Sequence, residues 1–99
     1  MKYLEIYNGN THLVNIENLR YSINKEEDTR LTCSPQYPDI YRVYIHFDNE
    51  KPFLIFEDCT YDKCYKFLSL FITLLESSAI DGLIIDLIKF LPIVEEGLK

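Results

Sequence analysis

Any chemistry in this chain has to start from three cysteines, two histidines and a few runs of adjacent carboxylates. Cys59 and Cys64 stand five apart, with Cys33 and His46 as conceivable further ligands for a metal. Structural zinc sites use tighter C-x₂₋₄-C pairs in two knuckles, and here there is one loose pair, so no metal ligand is assigned. Cys64 falls on an apolar helical stripe, where a thiol packs as a small hydrophobe. Nucleophilic catalysis would need His12 or His46 as the base. Both sit in alternating strand patterns, without a glycine-bounded turn to expose a nucleophile. The carboxylate runs Glu26-Glu27-Asp28, Glu57-Asp58 and Glu95-Glu96 read as solvated charge, because catalytic pairs need burial or a fixed cation to separate their pKa values. Three glycines, Gly9, Gly82 and Gly97, form no phosphate-binding loop. The expectation is a protein that is not an enzyme and carries no cofactor.

The elements that would position these residues follow from hydropathy period. Residues 2–7, KYLEIY, alternate, and Asn-Gly at 8–9 marks a tight hairpin turn into HLVNI at 12–16. LRYSI at 19–23 alternates again, and RLTC follows a charged loop, NKEEDT. IYRVYIHF, 40–47, is rich in β-branched and aromatic residues, and PFLIFE returns across DNEK as a second hairpin. After Glu57 the period becomes helical: Tyr61, Cys64, Leu68, Phe71 and Leu75 share one face, with Phe67, Leu70 and Leu74 beside it. Ser78 to Asp81 fits a helix-start pattern, leading into a second helix through Gly97 that is kinked near Pro92. The expected fold is α+β in one domain: a four- to six-stranded antiparallel meander over 1–57, then helices over 58–76 and 78–97 packed on one face.

The opening YLEIYNGNTHLVNIENLRYSI resembles the start of short bacterial and phage sheet-plus-helix proteins of the small flagellar-associated type. That family has a strand, an Asn-Gly turn, a strand reading LVNIENL, and further strands before one C-terminal helix. The likeness covers roughly the first half of the chain, which departs from it by a second apolar helix and an acidic loop. The resemblance implies a small non-enzymatic domain and transfers no functional residue.

Composition narrows the partners. The 99 residues carry a net charge of −6, with the acidic excess in residues 26–50 and 76–99. A general nucleic-acid surface needs the opposite sign to displace counterions, so nucleic acid is not the expected partner. Between Phe67 and Val94 lie Glu76, Asp81, Asp86 and Lys89, too many charges for a membrane span. The odd cysteine count and a charged opening, MKYLEIYNG, fit free thiols in a reducing cytoplasm.

Twelve of the twenty residues from Ala79 to Leu98 are apolar, more than one small sheet and one helix can cover. The surplus predicts a docking face, most simply for a second copy, on Phe67, Leu70 and Leu74 of the first helix. Leu83, Ile84, Ile85, Leu87, Ile88, Phe90 and Leu91 supply it from the second. The first expectation is therefore a self-associating interaction module that also binds another protein; a phage- or mobile-element-borne inhibitor of a host protein would share its size and acidity. The alternative is a binder of nucleotide or single-stranded nucleic acid on a sheet face showing Tyr3, Tyr7, Arg42, Tyr44 and His46, since aromatic side chains among cations suit base stacking.

Overall fold

In a computed structural model of the chain, which describes residues 2–28, 30, 33, 39–77 and 83–99, two helices pack with six strands in two three-stranded sheets. The first sheet has the order β2-β1-β6, from Thr11–Asn15, Tyr3–Tyr7 and Ile84–Asp86. The second has the order β3-β4-β5, from Arg20–Glu27, Asp39–His46 and Phe53–Asp58. The helices are α1, Tyr61–Leu75, and α2, Leu87–Gly97.

Both hairpins form where turn chemistry places them. Asn8 to Asn10 close the first, and Gly9 takes a φ of +101°, which a side chain would strain. Leu4, Ile6 and Val14 then point inward from β1 and β2 and are buried. In the second sheet Val43, Ile45 and Phe47 point inward from β4 and its end. A register slip between Val43 and Tyr44 lets Ile55 and Phe56 of β5 both meet the core.

The single antiparallel meander is corrected. There are two sheets, and β6 runs parallel to β1, with Tyr3 opposite Ile84 and Glu5 opposite Asp86. The second helix is also shorter than expected. Ile84 to Asp86 extend as a strand, and Asp86 caps α2 by accepting the Ile88 N–H at 3.0 Å. The expected start at Ser78 to Asp81 lies outside the described residues. Pro92 sits within α2, where its ring removes a bond to the Ile88 carbonyl on the solvent side of the helix. Nor do both helices lie on one face of one sheet: α1 rests on β3, β4 and β5, whereas α2 rests on β1 and β6 and against α1.

Cys64, Phe67, Phe71 and Leu75 form the buried stripe of α1, a 3-and-4 spacing. Thr60 caps its start, accepting the Lys63 N–H, while the Asp58 carboxylate accepts both Thr60 N–H and its hydroxyl at 2.9 Å. Its C-terminus is closed by Lys2, a buried residue whose ammonium donates to the Leu75 and Ser77 carbonyls. A cation at that end satisfies orphan carbonyls and opposes the helix dipole. Among the described residues no helix is long and apolar enough to cross a membrane.

Cys33 and Cys59 form a disulfide, a correction to three free thiols. Beside it, buried Asp28 accepts the Cys33 N–H at 2.7 Å, and Ile40 is covered although it shares a face with Glu26. Cross-linking a separation of 26 residues restricts the unfolded chain by about 3.5 kcal/mol. Denatured, unreduced protein should therefore titrate with one thiol, Cys64, and with three after reduction. Three reactive thiols without reductant would contradict the bond.

Packing yields a second expected outcome. Phe90 is 6% exposed whereas Ile88, two residues away, is 63% exposed. Phe90→Ala should lower stability by about 3–5 kcal/mol. Ile88→Ala should stay within about 0.5 kcal/mol, since it neither opens a cavity nor breaks a cap. Urea unfolding midpoints of the two variants check this contrast.

Candidate interaction surfaces

The residues of the expected ligand face are divided between the two sheets. Tyr3 and Tyr7 belong to β1, while Arg42, Tyr44 and His46 belong to β4. Alternation placed each residue on its strand's outer side but could not tell which strands share a sheet.

On the second sheet the outer face is closed by its own pairs. Arg42, mostly buried, reaches Glu57 of β5 at 3.0 Å and Glu26 of β3 at 2.9 Å, so one guanidinium spans three strands. The Tyr44 hydroxyl donates to the other Glu26 oxygen at 2.7 Å, and Arg30 meets both Glu57 oxygens at 3.1 Å. The Tyr44 hydrogen bond, reinforced by Arg42, holds the Glu26 carboxyl below its ordinary value despite partial desolvation. Donating hydrogen bonds to Glu57 and Glu26 raises the Arg42 guanidinium, and burial followed by the Glu26 contact raises the Tyr44 phenol. Two cations facing two carboxylates leave little field for an incoming phosphate.

His46 Nε2 meets the Ser22 hydroxyl at 2.8 Å. Among the described residues no carboxylate orients the other ring nitrogen, so the pair lacks the third group of a nucleophilic relay. His12 bonds Asn8 Oδ1 at 2.9 Å and packs its ring edge-on to Phe47. Burial, then the Asp58 charge, pushes the Cys64 thiol up to about 11, away from the thiolate range. Among the described residues no group of His, Cys, Asp and Glu is arranged to hold a metal.

The expected docking residues are also divided. Phe67, Leu87 and Phe90 are buried within the chain and belong to its core, a correction to their reading as interface. Leu70, Leu74, Ile85 and Leu91 are half-buried against that core. Leu83, Ile84 and Ile88 are each more than half exposed. Leu83 and Ile84 border an open concavity of about 590 Å³ between β6 and α2, with Leu74, Ile85 and Phe90 at its inner side. Ile93, equally exposed, completes its wall one turn beyond Lys89. Sequence reasoning missed Ile93, which follows Lys89 at the four-residue spacing that puts both on one side of α2.

Comparison with protein-family models, with curated proteins and with solved structures gave no match. The likeness of the N-terminal half to small flagellar-associated proteins therefore rests on the quoted residues alone.

The Tyr44–Glu26 bond has a pH signature. A carboxyl whose folded pKa lies below its unfolded value stabilises fully above the unfolded value, near 4.5, and loses that contribution as pH falls through the folded value. Tyr44→Phe should thus lower stability at pH 7, with the gap from the parent narrowing as pH falls below the unfolded value of 4.5 and through the lower folded one. Denaturant unfolding across pH 3–7 tests this; a pH-independent gap would mean that Tyr44 acts through packing.

Proposed function

We propose that this chain is a small non-enzymatic interaction module that self-associates through the apolar strip of β6 and α2. One observation carries this reading: Leu83, Ile84 and Ile93 stand more than half exposed around one open apolar concavity. Contiguous apolar surface of that kind is uncommon on monomers and typical of docking sites. The strip is narrower than the sequence suggested, because Phe67, Leu87 and Phe90 turn inward.

A second copy is the simplest occupant, since a two-fold interface uses the same patch twice. The strip is charge-balanced, with Asp86 and Lys89 at its border, so it is locally exempt from the repulsion that a net charge of −6 imposes elsewhere. Binding of nucleotide or single-stranded nucleic acid has less support, since Arg42 is committed to Glu26 and Glu57. The disulfide also removes the free-thiol ground for a reducing cytoplasm.

Light scattering at micromolar concentration should give twice the 11.8 kDa chain mass. Ile93→Asp should return it to a monomer with an unchanged circular dichroism spectrum. A clean 11.8 kDa species for the parent would sink the self-association reading.

A further inference from the structure

Strand register fixes what the outer face of the first sheet presents. Leu4, Ile6 and Val14 point inward, so Tyr7 and Leu13 project from the other side, with Glu5 between them and Ile84 and Asp86 on β6. Tyr7, Leu13 and Ile84 are each more than half exposed. Among the described residues no helix or strand covers this face.

At its centre lie two carboxylates. Glu5 stands directly opposite Asp86 on neighbouring strands, an arrangement of like charges that destabilises a sheet. Asp86 is partly compensated, because one oxygen accepts the Ile88 N–H at the start of α2. The half-buried Glu5 side chain makes no ion pair or hydrogen bond among the described residues. Lys89, three residues beyond Asp86, forms no ion pair with either acid.

We propose that this face docks a basic partner protein, seating an arginine or lysine side chain over Glu5 and Asp86 within the rim of Tyr7, Leu13 and Ile84. A guanidinium can bond two neighbouring carboxylates at once, a phenol ring attracts the same cation, and the aliphatic rim excludes water from the contact. The net charge of −6 steers a basic surface toward the chain. A second copy is the wrong occupant here, since a two-fold axis through the face would set Glu5 and Asp86 against their own counterparts. The face shares Ile84 and Asp86 with the self-association strip at the β6–α2 border, so binding is read both on the parent and on a chain held monomeric.

The test is a ¹⁵N nuclear magnetic resonance titration with the peptide acetyl-Val-Arg-Val-Arg-Val-amide, run on the parent and on Ile93→Asp so that oligomeric state is controlled. Saturable shifts should centre on Glu5, Tyr7, Leu13 and Ile84, weaken in 0.5 M NaCl, and be absent with a glutamate peptide of the same length. Glu5→Gln should weaken binding about tenfold, the scale of one charged hydrogen bond, while its melting temperature holds or rises as the like-charge pair is relieved. No shifts at millimolar peptide, or shifts centred on Glu26 to Asp28, would overturn the proposal. So would a lower melting temperature for Glu5→Gln, which would show that the carboxylate is already satisfied within the fold.

Discussion

A column of aromatic rings through α1 is what makes one domain out of two small sheets. Phe56 of β5 stacks on Phe67 at 4.2 Å, Phe67 leads to Phe71 one turn on, and Phe71 meets Phe90 of α2 edge-on at 5.2 Å. Among the described residues neither sheet exceeds three strands, a size at which a sheet needs a packed face to persist. The column gives both sheets that face at once, with Tyr21 closing on Phe71 from β3. Burial pushes the Tyr21 phenol up to about 12, with the Glu76 charge adding to it, as expected of a ring used for packing.

Polar groups hold the margins of this core. Arg42, on the middle strand of the second sheet, reaches one carboxylate on each flanking strand, and Lys2 reaches the carbonyl end of α1. Each is a single cation that fixes elements remote in sequence. The chain's acidity therefore disguises how its few basic residues are used: Arg42 and Lys2 are largely buried and committed inside the fold, and among the described residues the acids on the outer face of the first sheet have no such partner.

Much of this architecture was legible locally. The Asn-Gly hairpin and the strong strand read at 40–47 declare themselves within a few residues; the stripe on α1 did so in part, since Phe67 belongs in it and Tyr61, 52% exposed, does not. β6 could not be read in that way. Ile84, Leu87, Ile88 and Leu91 satisfy a helical spacing while Leu83, Ile84 and Ile85 also suit a short apolar strand, and the choice depends on an open edge of β1 some eighty residues away. The disulfide depends likewise on where a loop returns, which cysteine spacing does not encode. The ligand face divided for the same reason, since alternation gives the side of a strand and not its neighbours. Candidate docking residues were readable as apolar, but which of those near the second helix turned inward depended on the β6 extension, and on α1 Phe67 turned inward against Phe56 of β5.

The parallel pairing of β1 with β6 also dictates an order of events in folding. A parallel neighbour requires a crossover, and here it spans almost the entire chain. The Lys2 contact with Leu75 and Ser77 has the same long reach. During synthesis the first hairpin emerges early, yet its inner edge stays without its partner strand until the last quarter of the chain is made. The β3-β4-β5 sheet and α1, whose contacts are closer in sequence, can assemble before it. The first hairpin, made well before β6, is thus among the last elements to be completed, and until then its exposed edge is open to pairing with other chains.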